Sequence, residues 1–242
     1  MLVAFCDDMP GTVQYTIKIL KEQSEAYGLT VDIKIYEDSA SMLVDIMDKG
    51  VSYDMYFLDI EMPTVDGIDL ATKIRQVTPR AIILFLSCYT YYGDRVCRTH
   101  ADAYMYKAGD ADTKREDIGC AIRKYIRRTS TYTFSISRDE ERTVFMSDVV
   151  YIESLKRQII VHMKDNTSFH ISDQYTLSYF EEQDEFKDFF RVSRSILIGC
   201  HNIEAIRGKI FMCTGEVFKP RQSIVCKAEK KLLLLLRDSA FE

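Results

Sequence analysis

The feature that most restricts this chain is an alternation. Over residues 1–127, five apolar strand-like runs lie at Leu2–Cys6, Val31–Tyr36, Tyr53–Leu58, Ala81–Leu86 and Ala103–Tyr106. Stretches with helical periodicity follow them at Pro10–Tyr27, Ala40–Lys49, Gly67–Gln76, Tyr91–Thr99 and Asp112–Arg127. Pro10 and Gly11 after Asp7 and Asp8 mark a helix entry. The strand runs are almost wholly apolar, as strands are when helices cover both faces of a parallel sheet. The prediction is an α/β fold whose first part is a doubly wound, five-stranded parallel sheet in the order 2-1-3-4-5.

The pattern then breaks. A polar run beginning at Arg127 predicts a linker over residues 128–134 between a domain at 1–127 and one at 135–242. Beyond it, short β-branched runs follow one another at Thr143–Met146, Val149–Glu153, Gln158–Met163 and Thr167–Ile171, with Lys164-Asp165-Asn166 as a hairpin turn. A helix is expected at Tyr175–Gln183, capped by Ser172 or Asp173. Strands return at Ala205–Arg207, Ile210–Cys213 and Val217–Lys219, and a helix at Ser223–Asp238 ends the chain. The second domain is therefore predicted to be mostly β.

Composition excludes several classes. At 47% hydrophobic and 29% charged, the chain is not a disordered one. Its apolar run at Leu232–Leu236 is far shorter than the ~20 residues that span a bilayer. MLVAFCDDMPG lacks the basic start of a signal peptide, so a cytoplasmic location is expected. Seven scattered cysteines without C-x-x-C spacing read as buried, reduced thiols. The acidity is uneven. Residues 1–127 hold 15 Lys and Arg against 20 Asp and Glu, and residues 128–242 hold 17 of each. A neutral second half neither excludes nor supports nucleic-acid binding.

In an open parallel sheet, ligands bind beyond the carboxyl ends of the strands. Asp7 and Asp8 follow the first run, Asp59 the third, Ser87 the fourth and Lys107 the fifth. In the predicted order the first and third strands are neighbours, so the three carboxylates converge. They then need a counter-charge, which a hard cation such as Mg²⁺ supplies through oxygen ligands. Carboxylate, Mg²⁺, lysine and hydroxyl together make a phosphoryl-accepting centre with Asp59 as nucleophile. Each residue alone has a plainer reading as helix cap, turn or loop residue; their combination carries the assignment.

The segments AFCDD (4–8), FLDIEMPTVDGIDL (57–70), LFLSC (84–88) and AYMYK (103–107) make residues 1–127 resemble the receiver domain of bacterial two-component response regulators, a flavodoxin-like fold. The resemblance implies that Asp59 takes phosphate from a sensor histidine kinase. It implies that Asp8, Asp59 and the Glu61 carbonyl bind Mg²⁺ with Asp7 assisting, and that Ser87 and Tyr104 form a switch pair. Ala108 stands where such domains usually carry proline after the lysine.

The second half offers basic loop residues. Its segments SDVVYIES (147–154), FFRVSRSILIGCHNIEAI (189–206) and EVFKPRQSI (216–224) resemble a LytTR-type DNA-binding domain. That family has a ten-stranded β-fold that sets loops, not a recognition helix, into successive grooves of double-stranded DNA. The implied contacts are Lys156, Arg157 and Gln158, then Ser193 and Arg194, then Arg221 and Gln222. The expected protein is not an enzyme but a transcriptional regulator that dimerises on phosphorylation, binds promoter repeats and has no membrane partner. Two rivals are a phosphatase that turns over an aspartyl-phosphate with Glu61 as second acid, and a signalling module with a phosphorylation-independent receiver or a protein-binding output. The Tyr89–Tyr92 cluster and Leu232–Leu236 are candidate dimer contacts.

Overall fold

The computed structural model describes residues 1–88, 99 and 101–233 and the backbone of 234–237. The chain divides into two compact units, the first from Met1 to Tyr125 and the second from Ile126 onward.

In the first unit, β1 (Leu2–Cys6), β2 (Asp32–Tyr36), β3 (Met55–Asp59), β4 (Ile82–Ser87) and β5 (Ala103–Tyr106) form a parallel sheet in the order β2-β1-β3-β4-β5, as the sequence predicts. All of β3 and β4 is buried. Inside the sheet, Phe5 and Phe57 stack with centroids 4.4 Å apart. Helices α1 (Gln14–Ala26), α2 (Ser39–Met47), α3 (Gly67–Val77) and α4 (Ala111–Thr129) connect the strands. Asp38 caps α2 by accepting from the Ser41 amide, and Asp66 caps α3 by accepting from the Asp69 amide. The expected helix start at Pro10 is instead a 3₁₀ turn over Pro10–Val13, and the α-helix begins at Gln14. The predicted helix at Tyr91–Thr99 and the Tyr89–Tyr92 cluster lie outside the described residues.

The predicted linker at 128–134 is mostly regular structure. Helix α4 continues to Thr129, and β6 (Thr131–Ser135) begins two residues later. Arg127 and Arg128 sit in the last helical turn, where cations favour the helix dipole. The Ser130 amide and hydroxyl both donate to the Ile126 carbonyl, at 2.8 and 2.6 Å. Thr131-Tyr132-Thr133-Phe134 then has the β-branched and aromatic alternation of a strand.

The second unit has ten strands among the described residues. β6 pairs with β7 (Glu141–Phe145). β8 (Val149–Leu155), β9 (Gln158–Met163), β10 (Ser168–Ile171), β11 (Phe189–Ser193) and β12 (Ile196–Gly199) form an antiparallel sheet in the order β10-β9-β8-β12-β11. β13 (Ile203–Ile206), β14 (Ile210–Met212) and β15 (Val217–Phe218) form a third sheet. Two apolar clusters flank β8. Ile152 joins Phe134, Val161, Phe180 and Phe186; Val150 joins Ile198, Ile210, Met212 and Ala228. The sequence reading passed over β6, β11 and β12. Its helix at Tyr175–Gln183 is the shorter α5 (Leu177–Glu181), capped by Thr176, whose hydroxyl accepts from the Tyr179 amide. The last helix, α6, spans Gln222–Arg237, and Leu233 on it is exposed. Cys6 and Cys200 are buried as expected, but Cys88, Cys213 and Cys226 are exposed.

Candidate functional site

The parallel register sets the first site. Cys6 pairs with Leu58, Asp59 with Leu86 and Ser87 with Tyr106, so the four strand ends finish level with one another. The Asp7 amide donates to the Tyr36 carbonyl at 3.1 Å, and the Lys107 amide to the Ser87 carbonyl at 2.7 Å. Asp7, Asp8 and Asp59 offer carboxylate oxygens that all lie within 4.8 Å of one another. Asp7 and Asp59 are buried, and Asp8 faces solvent.

Lys107 supplies the counter-charge. Its Nζ lies 2.7 Å from Asp7 Oδ2 and 2.6 Å from Asp59 Oδ2. Burial raises the Asp59 carboxyl above the usual carboxylate range despite this lysine. Burial alone would depress the Lys107 ammonium, but hydrogen bonds to Asp59 and Asp7 outweigh it and raise the group. Asp7 is held on every side. Its Oδ1 accepts from the Met9 amide at 2.9 Å, and its Oδ2 also accepts from the Thr12 hydroxyl at 3.1 Å. The Glu61 amide donates to Asp59 Oδ1 at 3.4 Å, while the Glu61 side chain is exposed. Ser87 is buried and hydrogen-bonded to the Tyr104 phenol, whose pKa burial raises.

Three clustered carboxylates, two of them bridged by the Lys107 ammonium, suit a hard divalent cation, and Asp8 is open to water. The sequence reading named all the polar groups here except Thr12. It also missed Gly67. A Cβ at Gly67 would lie 2.0 Å from the Asp59 carbonyl oxygen, because the Gly67 amide folds back to donate to Ile60 O at 3.0 Å. A glycine at the first position of a helix, where propensity disfavours it, was the available signal.

In the second set, two of the three groups share one end of a sheet. Lys156 and Arg157 form the two-residue turn joining β8 to β9, with φ of 50° and 70°. Such a turn needs positive φ at both central positions and is ordinarily Asn-Gly or Gly-Gly. Two long cationic residues occupy it instead, at some strain. Arg194 and Ser195 turn β11 into β12 at the same end of the sheet, since the Ser154 amide donates to the Ser195 carbonyl at 2.8 Å. In the order β9-β8-β12-β11 the two turns are two strand spacings apart, or about 10 Å. Lys156, Arg157, Gln158, Ser193 and Arg194 are all exposed. The exposed Arg221 and Gln222 lie where β15 hands over to α6, and the Arg221 carbonyl accepts from the Ile224 and Val225 amides. Leu155, 49% exposed beside the first turn, was not singled out by sequence.

Among the described residues no helix is long and apolar enough to cross a membrane. Residues 3–118 match the response regulator receiver domain family, and residues 139–219 the LytTr DNA-binding domain family. Accessory gene regulator protein A of Staphylococcus aureus is 23% identical over 221 residues, covering 86% of this chain and 91% of the relative. Its namesake in Staphylococcus epidermidis is 22% identical over 231 residues, covering 89% and 95%. The solved response regulatory domain of protein mrkE from Klebsiella pneumoniae gives a TM-score of 0.46 at 19% identity, across 52% of this chain and 98% of that one. By both of its halves the chain belongs to the LytTR-type response regulators, transcription factors that join a receiver domain to a LytTR DNA-binding domain.

Proposed function

We propose that Asp59 is the phospho-acceptor of a two-component pathway and that its phosphorylation controls DNA binding by the second unit. The carrying observation is the Lys107 ammonium bridging Asp7 and Asp59 beside a solvent-facing Asp8. An Asp59 carboxylate oxygen attacks the phosphorus of a phosphohistidine on a sensor histidine kinase. The P–N bond breaks, and its electron pair returns to the imidazole nitrogen. Asp7, Asp8, Asp59 and the Glu61 carbonyl would hold Mg²⁺, which neutralises charge on the phosphoryl oxygens when bound. Lys107 holds a second phosphoryl oxygen by moving its ammonium off Asp59.

Ser87 and Tyr104 read the change. The Ser87 hydroxyl turns to the remaining phosphoryl oxygen, and Tyr104 takes up the space it leaves. Their existing hydrogen bond supports this pairing. The phosphorylated chain dimerises and sets two LytTR domains on promoter repeats. Lys156, Arg157, Gln158, Ser193 and Arg194 face one stretch of duplex, on turns about 10 Å apart. Arg221 and Gln222 make a separate contact.

Incubation with acetyl phosphate and Mg²⁺, followed by intact mass measurement, tests the acceptor. Asp59→Asn is expected to abolish labelling with the fold retained; undiminished labelling overturns the assignment. Selection of bound oligonucleotides with and without beryllofluoride tests the coupling, and identical recovery in both arms would overturn it.

A further inference from the structure

Helix α4 carries a lysine on its buried stripe. Lys114 lies four residues before Ile118 and seven and eight before Ala121 and Ile122, all of them buried. Lysine is almost never fully buried without a partner, and Lys114 is only 6% exposed. Its Nζ donates to the Lys107 carbonyl at 2.5 Å, and the Tyr15 ring of α1 covers the ammonium at 5.5 Å.

That carbonyl belongs to the residue that must aim an ammonium at the phosphoryl group. Behind it the loop reads Ala108-Gly109-Asp110, with no ring to fix the backbone. Two backbone bonds hold Lys107 there: its amide to Ser87 O at 2.7 Å, and the turn closed by Gly109 N to Tyr106 O at 3.0 Å. Asp110 fixes the next residues by accepting from the Asp112 and Thr113 amides at 2.9 Å. The gap between these restraints is the peptide that Lys114 grips.

We propose that Lys114 is a positioning residue for phosphoryl acceptance, clamping the Lys107 backbone from α4 so that the Lys107 ammonium meets the incoming group. This rests on Asp59 being the acceptor. Misplacing a reacting group by about 1 Å can cost a hundredfold in rate.

The test is the rate of labelling of the full chain by acetyl phosphate with Mg²⁺, as a function of acetyl phosphate concentration. Lys114→Met is expected to lower the saturating rate about tenfold with little change in half-saturation, and Lys114→Arg, which keeps a charged donor, to return it to within about threefold of the parent. A Lys114→Met rate equal to the parent's overturns the clamp. So does a Lys114→Arg rate as low as that of Lys114→Met. An unlabelled parent chain instead overturns the acceptor reading. Should Lys114→Met fail to fold, Tyr15→Ala, at an exposed helix position, carries the test. It is expected to slow labelling severalfold, and a parental rate in that variant overturns the proposal.

Discussion

The two units place their charged groups in opposite ways. In the first, the groups sit at the carboxyl ends of strands buried on both faces, so Asp7, Asp59 and Lys107 are withdrawn from water and held against one another. In the second, Lys156, Arg157 and Arg194 ride on hairpin turns of an antiparallel sheet and face outward. A parallel sheet gathers residues distant in sequence to one edge, where a low dielectric sharpens their interaction. An antiparallel sheet brings its turns out to solvent, where charge acts on a partner rather than on itself. On the proposed function, burial serves chemistry in one unit, and exposure serves recognition in the other.

The sharpest way to break this contrast is at Gly67. Its missing side chain leaves room for the Asp59 carbonyl, so Gly67→Ala is expected to destabilise the first unit by about 3 kcal/mol, read by urea denaturation. A change below about 0.5 kcal/mol would mean that the strand-end edge yields easily. In the second unit, Arg194→Ala should leave stability untouched while weakening specific DNA binding by roughly 1–3 kcal/mol in a gel-shift titration at fixed salt. Loss of stability without loss of binding would reverse the comparison there.

A smaller effect concerns pH. Burial, with Glu116 adding to it, raises the Asp117 carboxyl on α4 to about 6. The folded state therefore binds this proton more tightly than the unfolded state. The stability it contributes is present at acid pH and lost as pH rises through about 6. Asp117→Asn is expected to raise stability by about 1–2 kcal/mol at pH 7 and to have no effect near pH 3.5. Equal gains at both pH values would show that the shift is absent. The mildest test replaces Lys156 by Asn and Arg157 by Gly. Relieving positive φ should stabilise the hairpin by about 1 kcal/mol while DNA affinity falls. Stability and affinity rising together would sink the view that the strain is kept for recognition.

Much of the first site was legible because its geometry follows from topology. Once β1 and β3 are neighbours, Asp7, Asp8 and Asp59 must converge, and their positions after the apolar runs say so. What stayed hidden depends on contacts without a periodic signature. Lys114 reads as a solvated charge unless its place on the stripe of Ile118 and Ile122 is weighed. Gly67 reads as a helix-start glycine until the approach of the Asp59 carbonyl is seen. β11 is only five residues long and carries Arg191, which pairs with Glu181 rather than facing water alone. The turn at Lys156-Arg157 bears none of the residues that announce a hairpin. Reading 128–134 as a linker from its polarity left the β-branched alternation of Thr131–Phe134 unweighed.

The tethered lysine has one more consequence. Three acidic groups and one ammonium leave the resting pocket doubly negative, a deficit that one divalent ion cancels. A lone sodium or potassium ion would leave it short, and removal of the amine would leave it in excess. On the proposed reading, valence rather than ionic radius is the first filter on what enters, and the filter is set by a residue that is itself no ligand.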